Sequence, residues 1–133
     1  ILNPEKHVYF PSTTNGCSLA DSITGNDVRE LRKKYPDYSF VCYINTTADV
    51  KAECDVCVTS SNVYKIVETI ENENIVFLPD NLMGKNLIDH CKKHNIKKNI
   101  ILWNGTCYVH EEYDPDMIKF IKKVFHVSTG FCF

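Results

Sequence analysis

Five short apolar runs, separated by segments with helical periodicity, are the feature that most constrains how this chain can fold. The runs are continuous rather than alternating, which is typical of strands that are covered on both faces of a parallel sheet. Their strand–helix–strand order favours parallel pairing with right-handed crossovers. We therefore predict an α/β fold: a three-layer α/β/α arrangement around a mainly parallel sheet of four to five strands. The predicted strands are 7–11, 39–44, 56–59, 75–78 and 100–103.

The segments between the runs carry apolar residues at helical spacing. In 26–35, for example, Val28, Leu31 and Tyr35 fall on one side. The last such segment opens with Asp114 as a suitable N-cap and Pro115 at the first helical position. These patterns predict helices over 26–35, 48–53, 62–70, 86–94 and 114–125, and a turn over 79–85.

The length of 133 residues indicates one domain with a sizeable core. We predict a single Rossmann-like α/β domain over residues 1–127, followed by an irregular tail at 128–133. Residues 1–16 could instead close a preceding domain. The chain opens on Ile1 without a Met, so the sequence resembles the middle of a longer protein.

Charge and cysteine content narrow the setting in which the chain works. A net charge of −2 gives no electrostatic basis for binding nucleic acid, and no apolar run approaches the length of a membrane span. The seven cysteines are odd in number and several lie in apolar segments, which favours free thiols in a reducing compartment over a disulfide framework. We therefore expect a cytoplasmic protein that binds neither nucleic acid nor membrane.

Polar clusters follow three of the predicted strands. Cys17 comes after the first run, Tyr43, Ile44 and Asn45 close the second, and Ser60 follows the third. Carboxyl ends of parallel strands meet at one edge, where open α/β sheets place ligands. Taken singly, each cluster is explained by helix capping or by an inert thiol. Together they predict a pocket for a small anionic molecule, with backbone N–H groups of the short helices available to it.

Two other spacings leave alternatives open. Cys54 and Cys57 form a C-x-x-C, which can be a zinc or redox pair, but Cys57 falls in a predicted buried strand and no second pair accompanies it. Two unrelated structural thiols are the favoured interpretation. His90 and His94 lie one helical turn apart, a spacing that can bind a metal, although nearby lysines favour a solvated helix end. His110 is an acid–base candidate or a structural histidine.

The polar clusters, in this order, resemble the quinolinate synthase family. The resemblance runs from Ile1 to about Phe125 and is carried by several ordered motifs rather than by one. These are Leu-Asn-Pro near the start, Cys-Ser-Leu-Ala from Cys17, Tyr-Ile-Asn from Tyr43, Thr-Ser-Ser-Asn from Thr59, Pro-Asp from Pro79 and Trp-x-Gly-Thr-Cys from Trp103.

The resemblance implies an iron–sulfur transferase of NAD biosynthesis that condenses iminoaspartate with dihydroxyacetone phosphate to form quinolinate. It implies a [4Fe–4S] cluster with an open iron, for which Cys17 is similar to the first ligand. It also implies that Tyr43, Ile44 and Asn45 contact substrate, that Tyr43 moves a proton, and that Ser60 binds a carboxylate or phosphate. An aspartate-oxidising enzyme would supply one substrate.

Other features of the sequence depart from the family pattern. The family holds its cluster with three cysteines from three similar domains, whereas Cys132 does not stand in the expected context of the second. We therefore expect a fragment that is inactive by itself. The alternative is a non-catalytic α/β module that binds a small anion or a protein partner.

Overall fold

Helices and strands alternate along the chain in a computed structural model that describes residues 4–7, 9, 12, 16–112 and 114–125. A short 3-10 turn at Ala20–Ser22 precedes the first helix. The elements in chain order are α1 (Gly25–Lys34), β1 (Ser39–Tyr43), α2 (Ala48–Ala52), β2 (Val56–Val58), α3 (Val63–Thr69), β3 (Asn74–Leu78), α4 (Asn81–Lys93), β4 (Asn99–Leu102), α5 (Tyr108–Glu111) and α6 (Pro115–Phe125).

The strands of the described residues form one sheet in the order β2-β1-β3-β4, and every pairing is parallel. β1 and β3, in the middle, are buried almost throughout, whereas β2 and β4 at the two edges are more exposed. The α/β class and the parallel sheet predicted from the apolar runs are thereby confirmed. Between β1 and β2 the register pairs Cys42 with Cys57 and Tyr43 with Val58.

Helices cover both faces of the sheet and define three layers. One face of the sheet is covered by α1 and α2. There Val28 and Val50 pack against β1 and β3 through Phe40, Cys42, Val76 and Leu78. On the opposite face, α3 and α4 pack against the other side of β1 and β3, through Val63, Val67, Leu87 and Cys91. Burial of these apolar side chains supplies the main favourable free energy of folding, about 25 cal/mol for each Å² removed from water.

Helix α4 begins earlier than its periodicity predicts. The side chain of Asp80 accepts a hydrogen bond from the backbone N–H of Met83 at 3.0 Å and caps a helix that starts at Asn81. The predicted turn over 79–85 is therefore wrong, because most of this segment is the first part of α4. Gly84, which reads as a turn residue, lies inside the helix where it packs closely against Leu102 and Phe77.

The first predicted strand, 7–11, falls largely outside the described residues. Of its members, His7 and Tyr9 are described; both are exposed and neither belongs to a strand. The predicted tail at 128–133 also lies outside them. Of the helices in the described part of the chain, none combines the length and apolar character that a membrane span requires.

Candidate functional site

A backbone hydrogen bond joins the chain segment that follows β1 to the last residue of β2. The N–H of Ile44 donates to the carbonyl oxygen of Val58 at 2.8 Å, one step beyond the last registered pair of the two strands. The segment after β1 then turns tightly, because the Thr46 hydroxyl donates to the carbonyl oxygen of Tyr43 at 3.1 Å. Half-buried Tyr43 and exposed Asn45 therefore lie beside the segment that carries Ser60.

The segment after β2 is held by its own side chains. The backbone N–H of Thr59 donates to the side-chain oxygen of Asn62 at 2.7 Å, and the hydroxyls of Thr59 and Ser61 are 2.9 Å apart. Ser60, between them, is exposed at the carboxyl edge of the sheet. The structure thus brings together Tyr43, Asn45 and Ser60 of the predicted site.

The connections that leave β1 and β3 diverge at the carboxyl ends of these two neighbouring strands. The chain leaves β1 for α2 on one face of the sheet and leaves β3 for α4 on the other. This divergence is the topological switch point at which open α/β sheets bind ligands. Tyr43 ends β1 there and Asn45 follows it, and Asp80 and Asn81 follow β3.

Asp80 and Asn81 were missed as site residues at the sequence level. The Asn81 side-chain N–H₂ donates to Asn104 at 3.1 Å, whereas its side-chain oxygen is buried and has no hydrogen-bond partner in the described part of the chain. A buried acceptor without a donor is unfavourable unless water or a ligand supplies one. The signal available in the sequence was a polar pair placed two residues after the apolar run 75–78.

Cys17 lies in a segment that runs along the carboxyl edge. Its carbonyl oxygen accepts a hydrogen bond from the N–H of Asp21 at 3.0 Å, and its thiol is exposed. Further along, the Trp103 indole N–H donates to the carbonyl oxygen of Ser22 at 3.0 Å, which fixes the segment beside the end of β4. The thiol of Cys17 is therefore exposed, in a segment that is anchored beside the end of β4.

The N-terminus of α2 differs from the predicted anion site. Thr47 is the N-cap, but its hydroxyl hydrogen-bonds to Asp49 rather than to the backbone of the helix. The carboxylate of Asp49 also accepts from the N–H of Gly25 at 2.9 Å. The bonds from Thr47 and Gly25 lower the pKa of Asp49, so the first turn carries a negative charge that would repel an anion.

The structure describes the positions of the cysteines and histidines whose spacing left alternatives open. Cys57 is exposed, so its predicted burial is wrong: β2 is an edge strand whose outer residues reach solvent. Cys57 is the registered partner of Cys42 in the sheet, and Cys54 packs against the core that contains Cys42. His90 contacts the carboxylate of Glu68 at 2.9 Å on the helical surface, beside His94. The side chain of His110 lies outside the described ones.

The described residues offer an exposed thiol at Cys17 and a half-buried one at Cys107, after β4, but no complete metal site. Within residues 16–112 and the other described segments, no group of three or more histidine, cysteine, aspartate or glutamate side chains is arranged to hold a metal ion. An exposed cysteine thiolate is a chemically suitable ligand for iron. Cys17 is therefore chemically able to ligate iron, but no such site is completed within the described residues.

The fold defines an α/β protein whose polar edge lies at the switch point of a parallel sheet, the position where proteins of this class bind ligands. The family profile described as "Quinolinate synthetase A protein" matches residues 1–128, so this chain belongs to that family. It is 47% identical over 125 residues to "Quinolinate synthase" of Aquifex aeolicus, covering 94% of this chain and 38% of that protein.

Two further relatives agree with this assignment. "Quinolinate synthase" of Caldicellulosiruptor bescii is 48% identical over 93% of this chain and 40% of its own length. "Quinolinate synthase" of Caldicellulosiruptor saccharolyticus is 54% identical over 83% of this chain and 35% of its own length. The chain thus spans well under half the length of the curated relatives that it matches.

Proposed function

We propose that this chain forms the central α/β part of a quinolinate synthase and that its carboxyl edge binds the substrates. The reaction is the condensation of iminoaspartate with dihydroxyacetone phosphate to quinolinate, a transferase step of NAD biosynthesis. The contact that carries the proposal is the bond from Ile44 to Val58, because it brings Tyr43, Asn45 and Ser60 to one edge.

The side chains at this edge suit a small anionic substrate. The amide of Asn45 can donate to a carboxylate, and the hydroxyl of Ser60 can donate to a carboxylate or phosphate oxygen. The phenol of Tyr43 can give or take a proton at an adjacent substrate atom. Ile44 is 42% exposed and gives the site an apolar wall. The unpaired oxygen of Asn81 can accept a hydrogen bond from a substrate amine or hydroxyl.

Cys17 is proposed as one ligand of a [4Fe–4S] cluster. Such a cluster would supply Lewis-acid chemistry at a substrate oxygen when bound. Because one thiol cannot hold it, we expect the chain alone to bind no stoichiometric cluster and to be inactive. Anaerobic reconstitution followed by absorption spectroscopy tests this expectation, and a stoichiometric cluster on the chain alone would contradict it.

Helix α6 supports a role within a larger enzyme over that of a self-sufficient module. Met117 and Phe120 are 55% and 64% exposed, and Val124 lies one turn further on the same helix, also exposed. A contiguous apolar stripe of this kind marks a surface that packs against another protein part. The non-catalytic alternative, binding of a protein partner, would use the same stripe without any chemistry at the carboxyl edge.

A chimera tests the enzymatic proposal. Residues 1–125 would replace the matched segment of the Aquifex aeolicus relative, and quinolinate formation would be measured anaerobically with both substrates. We expect activity that falls about tenfold or more in Asn45→Ala and Ser60→Ala, because each loses a hydrogen bond to a charged ligand.

Ser61→Ala is the matched control, since its hydroxyl is already engaged with Thr59. Equal loss in Ser60→Ala and Ser61→Ala would place the effect in the loop rather than in substrate binding.

A binding experiment distinguishes the non-catalytic module from the enzyme. The iron-free chain is titrated with a dicarboxylate and with a triose phosphate. Tight binding of either one without activity in the chimera would favour the module.

A further inference from the structure

A cluster of three thiols lies beneath helix α2, on the sheet face that α1 and α2 cover. Cys42 is at its centre and is fully buried among the residues of that core. Cys54 packs against the same core, and Cys57 is the registered partner of Cys42 on the neighbouring strand. The carboxyl-edge residues described above are not part of this cluster.

Cys42 and Cys57 are direct neighbours across the sheet. They are registered partners in parallel strands, so their side chains extend from the same face. Adjacent strands lie about 4.8 Å apart, which is within the range of Cα separations that disulfides span. β2 is a three-residue strand at the edge of the sheet and is paired on one side only, with β1.

The two thiols have complementary reactivity. Cys57 is exposed, so a solution disulfide can reach its sulfur, whereas Cys42 is sealed. Hydrogen bonding from Cys54 lowers the pKa of Cys42 to about 6 even though burial opposes ionisation, and bonds from Cys57 and Thr46 and the charge of Lys51 assist. Desolvation and the neighbouring Cys42 raise the pKa of Cys57. Cys42 is therefore the better internal nucleophile, and Cys57 is the point of entry.

We propose that Cys57 and Cys42 form a redox modification site that glutathione-type disulfides oxidise to a reversible intramolecular disulfide. The Cys57 thiolate attacks the disulfide, forming a mixed disulfide and releasing one glutathione thiolate. The Cys42 thiolate then attacks the sulfur of Cys57 and displaces the second. The protein loses two electrons and two protons, and the oxidant becomes two glutathione thiols. This site does not depend on the proposed function.

Cys54 acts as a positioning residue in this scheme. Cys54 packs against the core that contains Cys42, where its thiol can donate to the attacking thiolate. Cys54→Ser keeps a donor at that position, whereas Cys54→Ala removes it. The second step should therefore slow in Cys54→Ala and shift its pH profile upward, and it should recover in Cys54→Ser. An unchanged pH profile in Cys54→Ala would contradict this role.

The test uses the whole chain with the substitutions Cys17→Ser, Cys107→Ser and Cys132→Ser, which leave fewer competing thiols. It is incubated with oxidised glutathione, free thiols are alkylated, and tryptic peptides are analysed by mass spectrometry. Cys42 lies in the peptide 35–51, and Cys54 and Cys57 lie in 52–65. We expect the two peptides to be linked through Cys42 and Cys57, with loss of two hydrogens and reversal by dithiothreitol.

Substitutions of single cysteines distinguish a Cys42–Cys57 disulfide from other pairings of the thiols. Cys57→Ser should abolish the link, Cys54→Ser should keep it, and buried Cys91 on the opposite face should remain reduced. A glutathione adduct that persists on Cys57 with Cys42 unlinked would overturn the proposal. So would a Cys42–Cys54 link that forms equally well in Cys57→Ser, or no oxidation of the wild-type pair in excess oxidised glutathione.

Discussion

The carboxylate of Asp55 accepts a hydrogen bond from the backbone N–H of Phe40 at 2.7 Å, across the amino-terminal ends of β2 and β1. The other oxygen of the same carboxylate accepts from Arg32 of α1 at 2.7 Å. Asp55 therefore fastens a helix and two strands at the end of the sheet opposite the candidate site.

Two substitutions of Asp55 should distinguish how much each of these contacts contributes to the free energy of unfolding. Asp55→Ala leaves the N–H of Phe40 without its acceptor and should lower the free energy of unfolding by about 1–3 kcal/mol. Asp55→Asn keeps an acceptor and loses only the exposed ion pair with Arg32, which is worth about 0–1 kcal/mol. Urea denaturation followed by circular dichroism measures both, and equal losses would show that the ion pair dominates.

Asp49 should make stability depend on pH in the acid range. Its hydrogen bonds from Thr47 and Gly25 lower its pKa in the folded chain. The stabilisation is therefore complete above the ordinary aspartate pKa and is lost as pH falls through the folded-state value. Asp49→Asn should be less stable than the parent at neutral pH, and the difference should shrink in acid.

The measurement for Asp49 is a series of urea unfolding curves between neutral and acidic pH. Asp89→Asn is the matched control, because Asp89 has only a long contact with Lys92 at 3.9 Å on the surface of α4. A stability difference for Asp49→Asn that stays constant across the whole series would refute the assignment.

Gly105 should not tolerate a side chain. A Cβ at this position would lie 2.5 Å from the carbonyl oxygen of Pro79 and 2.5 Å from the hydroxyl oxygen of Ser22. Because one of these atoms is backbone, relief requires the chain to shift, and such overpacking costs about 1–3 kcal/mol. Gly105→Ala should lower the thermal midpoint of unfolding.

Gly16→Ala is the control for this substitution. Its Cβ would meet the exposed carboxylate of Asp21 at 3.0 Å, a flexible group that can move aside. We expect little change there. A thermal midpoint for Gly105→Ala equal to that of the parent would mean that the contact with Pro79 is looser than the structure has it.

Trp103 should hold the segment that carries Cys17. Trp103→Phe removes the indole N–H that donates to Ser22, which is worth about 1 kcal/mol. Amide hydrogen exchange should therefore accelerate in residues 17–24 while the central strands keep their protection. If exchange rises uniformly through β1 and β3 instead, the loss is one of global stability.

The sheet could be predicted because its signal is local. Each continuous apolar run, such as 39–44 or 75–78, marks a strand by its own composition. The order β2-β1-β3-β4 could not be, since it depends on pairing between distant segments. The same limitation explains Cys57: its own segment reads as a buried strand, and only the strand order shows that it lies at an edge.

Some of the candidate site residues could be predicted from the sequence and others could not. Tyr43, Asn45 and Ser60 follow strands with clear apolar patterns, so their shared edge could be anticipated. Asp80 and Asn81 could not be assigned to it, because Pro79 and Gly84 favour a turn by composition while capping by Asp80 and close packing at Gly84 favour a helix. Tertiary contacts decided between the two.

The all-parallel sheet also separates the molecule into two ends that can change independently. The loops at the amino-terminal end are tied together, for instance by Asn72 donating to the carbonyl oxygen of Asp37 at 2.7 Å and Lys98 donating to that of Asn72 at 3.1 Å. Substitutions at the amino-terminal end should change the free energy of unfolding. Substitutions after the carboxyl ends of the strands should change binding at the proposed site. Substitutions that stabilise the amino-terminal end of the sheet should therefore leave the residues of the proposed binding edge unchanged.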